Sequence, residues 1–390
     1  ARARRCDEVS PIDTTAENMR GRRVLVIGTF DPTTPRARQW MRLLDRLGCV
    51  VDVRNISSWD DDRASQTART PLAMLPRVVA GLARLAWHLL TCERPDLVVF
   101  LYPGHLDACV LGPIARLRRV PAVLDIFISL YDTVVSDRAL RSPRSAVGIA
   151  TRAIDIAACW SVPLVVVDTP ENAEFLARFT HRGRRHFAVL WVGADESIYG
   201  PPGADPGDDG PILWYLTYIP LHGFETVAHA AALLRDDGRR IRLVGDGQQR
   251  AAAEDLIAEL HLHNVDVVGS VPEADLVGEI GRASICLGVF GTTDKAARVV
   301  PNKVYQCAAA GRAIVTAETP ANRTAFGDVL VTVPPGDAPA LAAAIRALRG
   351  PARVGAGERA RATFVERFSD AALARDLARS LSKLLRSKAR

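Results

Sequence analysis

Short runs of unbroken apolar residues, each closed by a turn residue, recur along this chain with helical periodicity between them. Residues 24–27 form such a run and end at Gly28; residues 97–101 and 164–167 repeat the pattern, and residues 50–53 and 123–126 do so around a single aspartate. Unbroken runs of this length read as parallel strands buried on both faces. The intervening stretches, beginning with 39–47 closed by Gly48, carry the spacing of helices. Residues 201–211 (PPGADPGDDGP) interrupt the rhythm with proline, glycine and aspartate, the composition of an exposed linker. Beyond it the alternation restarts. Strands are predicted at 212–216, 241–244, 265–268, 285–289 and 313–316, and helices at 224–234, 250–260, 274–281 and 301–310, the last closed by Gly311 in a left-handed cap.

Strand alternating with helix in two blocks predicts two doubly wound α/β domains. The boundaries read as a polar leader over 1–20, a Rossmann-like domain over 21–195, a linker over 196–211 and a second Rossmann-like domain over 212–365. A terminal helix over 366–390 is expected to return to the first domain. At 390 residues the chain is long enough for two domains. In open sheets of this kind ligands bind outside the carboxyl ends of the strands, so the loops after residues 27, 101, 126, 216, 244 and 289 are the places to look, and a cleft between the domains is the expected site.

Composition narrows the classes of partner. Lys plus Arg exceed Asp plus Glu by six, a modest basic excess that suits a nucleotide diphosphate or an acidic membrane surface and is too small to imply nucleic acid. The seven cysteines are odd in number and never spaced C-x-x-C, which points to free thiols in a reducing compartment. No apolar run reaches membrane-spanning length, and residues 1–5 lack a following apolar region, so the expected location is cytoplasmic.

The most informative stretch is 290–311, FGTTDKAARVVPNKVYQCAAAG. A glycine-containing loop leaves a buried strand and enters a helix opening at Pro301, whose free amides form an anion site. Arg298 and Lys303 flank that opening; they read either as charges on a pyrophosphate or as solvated surface charges. Asn302, Lys303 and Gln306 fall on one helical face, where ribose hydroxyls one turn deeper would meet them.

Here the chain resembles the family-four glycosyltransferases. The family helix E-x-x-x-x-G-x-P aligns with Gln306-Cys-Ala-Ala-Ala-Gly311-Arg-Ala313, and Thr217-Tyr-Ile-Pro-Leu-His222-Gly223 with the first carboxyl-domain loop. Leu243-Val-Gly-Asp-Gly247, Val192-Gly-Ala-Asp-Glu-Ser-Ile-Tyr199 and Ala283-Ser-Ile-Cys-Leu-Gly288 extend the resemblance. In the first domain, Gly28-Thr-Phe-Asp-Pro32, Tyr102-Pro-Gly-His105 and Ser129-Leu-Tyr-Asp-Thr133 look like a bacterial branch of that family, so the resemblance covers nearly the whole chain in order.

The resemblance implies the GT-B fold and retaining transfer of a sugar from a nucleotide diphosphate sugar, UDP before GDP, to an acceptor hydroxyl. The setting it implies is cell-envelope polysaccharide or natural-product biosynthesis. It places the donor against Gly28, Thr217, His222, Gly223, Gly245, Gly247, Val300, Pro301, Asn302 and Gln306, and catalysis on His105, Arg298 and Lys303. The acceptor falls to Phe30, Asp31, Asp125, Tyr131 and Asp132, with Asp137 and Arg138 in the same loop. The family's arginine and lysine of the first carboxyl-domain loop become Thr217 and His222 here, and its paired glutamates become Arg298 and Gln306, so Arg298 and Lys303 are expected to supply the missing phosphate charge.

Neither a cofactor nor a metal ion is expected. Asp60-Asp61-Asp62 imitates a metal motif but lies in a polar loop away from the donor half, and Gly245-Asp246-Gly247 lacks the third glycine of a dinucleotide fingerprint. Two other classes remain open: a sugar-nucleotide-binding auxiliary subunit and a nucleotide-sugar epimerase. The apolar helix over 75–90 is read as packed into the core, with a peripheral membrane contact the less favoured alternative, and the acceptor is small, carrier-bound or lipid-linked.

Overall fold

The computed structural model describes residues 17–56, 71–137, 140–200 and 203–387. Two parallel six-stranded sheets dominate it. The first sheet takes β1 (Arg23–Gly28), β2 (Val50–Asn55), β3 (Leu97–Phe100), β4 (Ala122–Asp125), β5 (Leu164–Val167) and β6 (Phe187–Val189), in the order β2-β1-β3-β4-β5-β6. The second takes β7 (Ile212–Leu216), β8 (Ile241–Gly245), β9 (Val265–Val268), β10 (Ile285–Leu287), β11 (Ala313–Ala317) and β12 (Val331–Val333), in the order β12-β11-β10-β7-β8-β9. The central strands β1, β3, β4, β5 and β11 are buried almost throughout, as their unbroken apolar composition requires.

Helices flank both sheets. The first sheet has α1 (Pro35–Arg46), α2 (Pro71–Thr91), α3 (His105–Leu117), α4 (Ala146–Ser161) and α5 (Pro170–Phe179). The second has α6 (Phe224–Leu233), α7 (Arg250–Glu259), α8 (Glu273–Arg282), α9 (Asp294–Arg298), α10 (Asn302–Ala309), α11 (Pro320–Phe326) and α12 (Ala338–Ala347). Two long helices, α13 (Gly350–Arg367) and α14 (Asp370–Ser387), complete the chain's described elements. One local rule starts three of them. Thr34, Thr169 and Thr319 each stand before a proline and accept a hydrogen bond from the amide three residues on, satisfying a donor that the first turn would leave unpaired.

By packing, the chain forms two compact units. The first comprises residues 1–125, 161–165 and 371–390, so α14 belongs with the amino-terminal strands; the second comprises residues 126–160 and 166–370. The core of the second unit gathers Trp214, Phe224, Leu243, Leu287, Phe290, Val315 and Leu341 between sheet and helices. Trp214 packs its ring on Phe224 at 6.2 Å and donates its indole N–H to the Gly288 carbonyl at 2.7 Å, which fixes the end of β10 against β7.

Three sequence expectations change. The stretch read as a loose linker is fastened, from Gly203 on, to α13. Buried Arg353 donates to Asp205 through both terminal nitrogens (2.7 and 2.8 Å) and to Asp208 through Nε (2.7 Å), holding both carboxyls below their usual range. The segment before Pro301, read as open loop, contains the short helix α9 capped by Thr293. Helix α2 turns much of its apolar surface outward instead of into the core, with Val79, Trp87 and Leu90 exposed. The predicted cap at Gly311 is present at φ 65°.

Each sheet has one place where its strand order reverses: between β1 and β3 in the first, between β7 and β10 in the second. Adjacent crossovers there leave in opposite directions and open a crevice at the carboxyl ends. At the second reversal the loops interlock through backbone. Phe290 donates to the His222 carbonyl (3.0 Å), Gln249 to Tyr218 (2.8 Å) and Tyr218 to Asp246 (3.3 Å). The approach demands glycine: at Gly245, with φ 143°, a Cβ would overlap the Leu216 carbonyl oxygen, and at Gly223 one would press on the backbone of Gly291. Gly245→Ala is expected to destabilise the second unit by at least about 2 kcal/mol, read as a lower urea midpoint; an unchanged midpoint would show that the loops are not locked as described.

Candidate functional site

At the reversal in the second sheet, Lys303 sits in the first turn of α10 with its side chain buried. Its ammonium lies 5.4 Å from the Trp214 ring centre and 5.7 Å from that of Tyr215, and Nζ has no hydrogen-bond partner among the described residues. Two aromatic faces give a cation modest stabilisation, far less than water gives. Burial therefore lowers the Lys303 pKa to about 7. His222 closes the short 3-10 turn Pro220–His222 beside it and is also buried; its ring bonds to the Thr217 backbone while Nδ1 has no partner among the described residues. Desolvation first, and the charge of Lys303 second, push His222 well below its ordinary pKa. Two basic groups thus have their charged forms disfavoured by burial, and an anion brought to them would favour those forms again.

Tyr215 braces the helix from below. Its hydroxyl donates to Gln306 Oε1 at 2.8 Å and lies 3.3 Å from the Lys303 carbonyl. Gln306 is buried in this contact, Val300 is buried before the helix, and Pro301 and Asn302 stand half-buried at its mouth as cap and first residue. Thr217 and Gly247 are exposed in the neighbouring loops.

Arg298, at the end of α9, is engaged elsewhere in the second unit. It donates from Nη2 to Asp132 Oδ1 (2.9 Å) and from Nη1 to Asn172 Oδ1 (3.0 Å), and its guanidinium stacks 3.8 Å from the Phe175 ring centre. The residues read from sequence as a phosphate-facing charge and an acceptor-facing carboxylate are therefore partners of each other. Thr169 Oγ1 adds a bond to the Arg298 carbonyl (2.7 Å), and Lys295 Nζ reaches Thr133 Oγ1 (3.4 Å). Asp155, fully buried on α4, shapes the 129–131 loop by accepting from Ser129 Oγ (2.6 Å) and the amide of Tyr131 (3.0 Å). Tyr131 packs its ring 5.2 Å from Phe179. The Asp137 side chain, Arg138 and the 60–62 aspartates lie outside the described residues.

The first unit builds its own cluster at the reversal between β1 and β3. The β3 loop carries a cis peptide at Tyr102-Pro103 and delivers His105 as the first residue of α3. His105 is wholly buried, with Nδ1 3.1 Å from the Pro103 carbonyl. Two residues on, Asp107 accepts from the Thr29 amide (2.8 Å) and hydroxyl (3.2 Å) and leaves Oδ1 buried without a partner among the described residues. Burial outweighs the Thr29 bonds and raises its pKa to about 6. Gly28 admits this contact, since a Cβ there would meet the Asp107 carboxylate at about van der Waals overlap. Asp107 escaped the sequence reading, although its position two residues after His105 in the first turn of a predicted helix was a signal.

Three acceptor candidates have other duties. Asp125 is fully buried in a two-point ion pair with Arg36 (2.8 and 2.9 Å), so its oxygens already have donors. Asp31 closes its own turn by accepting from the Thr33 amide (2.8 Å) and hydroxyl (2.6 Å). Phe30 is buried in the core.

Residues 211–350 match the family model described as Glycosyl transferases group 1. The matched stretch holds the second sheet and its switch-point cluster. No curated protein sequence matches the chain. Solved structures share the architecture at low identity. A sucrose-phosphate synthase from Thermosynechococcus elongatus aligns with TM-score 0.71 at 19% identity, over 94% of this chain and 100% of that one. HepE of Anabaena in complex with UDP-glucose gives 0.65 at 14%, over 93% and 100%. The catalytic domain of starch synthase IV from Arabidopsis thaliana, bound to ADP and acarbose, gives 0.68 at 11%, over 95% and 100%. The likeness is one of fold, and the fold is GT-B.

Within the group 1 domain the donor candidates Thr217, His222, Gly223, Gly245, Gly247, Val300, Pro301, Asn302, Lys303 and Gln306 collect on the loops and helix of one strand-order reversal. Arg298 belongs to the α9–Asp132 contact. Removing either member of that pair leaves a buried charge alone, so Asp132→Asn and Arg298→Gln should each cost about 3 kcal/mol. In a double-mutant cycle on urea unfolding the pair should cost clearly less than the sum; additive losses would mean that the two do not interact.

Proposed function

We propose that the protein transfers a glycosyl group from a nucleotide diphosphate sugar to an acceptor hydroxyl, with retention, and without a metal ion or bound cofactor. The observation that carries this reading is the buried pair of Lys303 Nζ and His222 Nδ1 at the switch point of a group 1 glycosyltransferase domain. Both groups are basic, Lys303 Nζ and His222 Nδ1 each have no hydrogen-bond partner among the described residues, and Lys303 stands in the first turn of α10. Transfer leaves a nucleotide diphosphate, and the charge developing on its bridging oxygen is what a site must stabilise. A phosphate oxygen brought to Lys303 would restore its charge and pair it in a dry environment, where that interaction is strong. UDP is the favoured base, because HepE was solved with UDP-glucose and shares this fold. Cell-envelope or natural-product biosynthesis is the setting we favour.

A second reading has one observation in its favour. With Arg298 engaged by Asp132 and Asn172, a charge expected at the leaving group is absent, as it would be in an auxiliary subunit that binds a sugar nucleotide without transferring it. Calorimetry with UDP-, GDP- and ADP-sugars in EDTA tests binding, and product analysis with the bound donor separates the two readings. No binding to any of them by the folded protein would sink both.

The protonation of Lys303 gives two sharper outcomes. Its folded pKa of about 7 lies below the unfolded value of 10.5. Between those limits the unfolded chain binds the extra proton, so stability falls as pH drops from about 10 to about 7 and then levels. Lys303→Met should abolish that slope and raise the midpoint at neutral pH, while weakening donor binding by at least about tenfold. Donor affinity of the unaltered protein should decline as pH rises above about 7, with proton uptake on binding seen as a dependence of the heat on buffer. A pH-independent affinity from about one unit below to about two units above the Lys303 value of about 7 would remove Lys303 from the phosphate site.

A further inference from the structure

Helices α2 and α3 of the first unit are inverted relative to the usual pattern. Their buried faces pack against the sheet and each other, yet their solvent faces are apolar as well. On α2, Val79, Trp87 and Leu90 project outward, Trp87 with 70% of its surface exposed. On α3, Leu106, Val110 and Leu117 do the same at helical spacing, Leu117 with 77% exposed. Large side chains in such a row are a contiguous patch, not the scattered apolar residues of an ordinary surface.

The topology puts both rows on one side. Helix α2 links β2 to β3 and α3 links β3 to β4, and in the order β2-β1-β3-β4 both steps run the same way. Right-handed crossovers then place both helices on the same face of the sheet, side by side. Arg118 ties their carboxyl-terminal ends together by donating to the carbonyls of Leu89 and Cys92, the latter at 2.8 Å, which brings Trp87, Leu90 and Leu117 to a common corner.

Charge decides the occupant. The exposed polar residues among these rows are Arg77, Arg84, Arg116 and Arg119. From 76 to 92 there is no carboxylate, and from 105 to 119 the one carboxylate is the buried Asp107. A second protein would need matching acids; an anionic bilayer supplies phosphate at the level of the arginines and hydrocarbon beneath it, at the depth a tryptophan ring reaches. Among the described residues no helix is long and apolar enough to cross a membrane, so such a contact would be peripheral.

We propose that the α2–α3 face of the first unit docks the protein on an anionic phospholipid surface. Vesicle co-sedimentation tests it with the full chain: phosphatidylcholine alone, and an equal mixture of phosphatidylcholine and phosphatidylglycerol. The unaltered protein should pellet with the mixed vesicles, far less with the neutral ones, and be released by salt. Trp87→Ser with Leu117→Ser should abolish pelleting. Arg84→Glu with Arg116→Glu should weaken it by at least about fivefold for each arginine reversed. These positions are exposed, so the thermal midpoint and nucleotide-sugar binding should stay unchanged and report an intact fold. The proposal is overturned if the protein ignores mixed vesicles or if the folded serine variant pellets as well as its parent. It is equally overturned if sedimentation velocity shows a dimer that the serine variant dissolves, since the face would then join two copies.

Discussion

The burial of one amine governs the carboxyl-terminal half. Burial makes the charge of Lys303 costly, and among the described residues it has two aromatic rings and no hydrogen-bond acceptor. Leaving a lysine there costs stability, and an apolar residue of similar length would pack as well. Its neighbour His222 repeats the arrangement and is discharged partly by Lys303 itself. An arrangement that is unfavourable alone and favourable with an anion present is the physical form of a binding site made ready in advance.

The backbone around it is what prevents relaxation. If the loops after β7, β8 and β10 were free to part, water would reach Nζ and the pKa shift would vanish. They are not free, because glycines let their main chains meet directly, with Gly245 against Leu216 and Gly223 against Gly291. Trp214 belongs to both systems: its indole N–H holds the Gly288 carbonyl and its ring faces Lys303. The rigidity of the loops and the discharge of the lysine are therefore one constraint.

Much of this was legible in the sequence, and what was not has a common cause. Apolar runs marked ten of the twelve described strands to within a residue or two, and the two three-residue edge strands β6 and β12 were too short to give such a run. The glycines and Lys303 marked the loops of the second strand-order reversal by local signals that need no long-range contact. The partners of Arg298, Asp132, Asp125 and Arg353 were not legible, because a charge reads the same whether it faces a ligand or a partner 89 or more residues away. Asp132 and Arg298 are 166 positions apart, and no spacing rule connects them. Helix α2 failed for a related reason: periodicity reports that a side is apolar, not which side the sheet has already filled.

The basic excess of the chain takes on a different meaning once its arginines are placed. Arg36, Arg298 and Arg353 lie inside, tied to Asp125, Asp132, Asp205 and Asp208, and serve as cross-links between segments distant in sequence. A guanidinium suits that use because it stays charged when buried and matches carboxylates at two points. Those residues are withdrawn from any ligand. Two other placements suit anions: a lysine that can lose its proton, held in a dry crevice, and exposed arginines on an apolar helical face. The first suits one small ligand whose arrival must be coupled to protonation, since only an amine near its pKa responds to it. The second suits an extended array of phosphates, where permanent charge matters and selectivity does not. Lysine within and arginine without is therefore a division of labour set by the two side chains' chemistry, and it separates the nucleotide site from the surface on which the protein would rest.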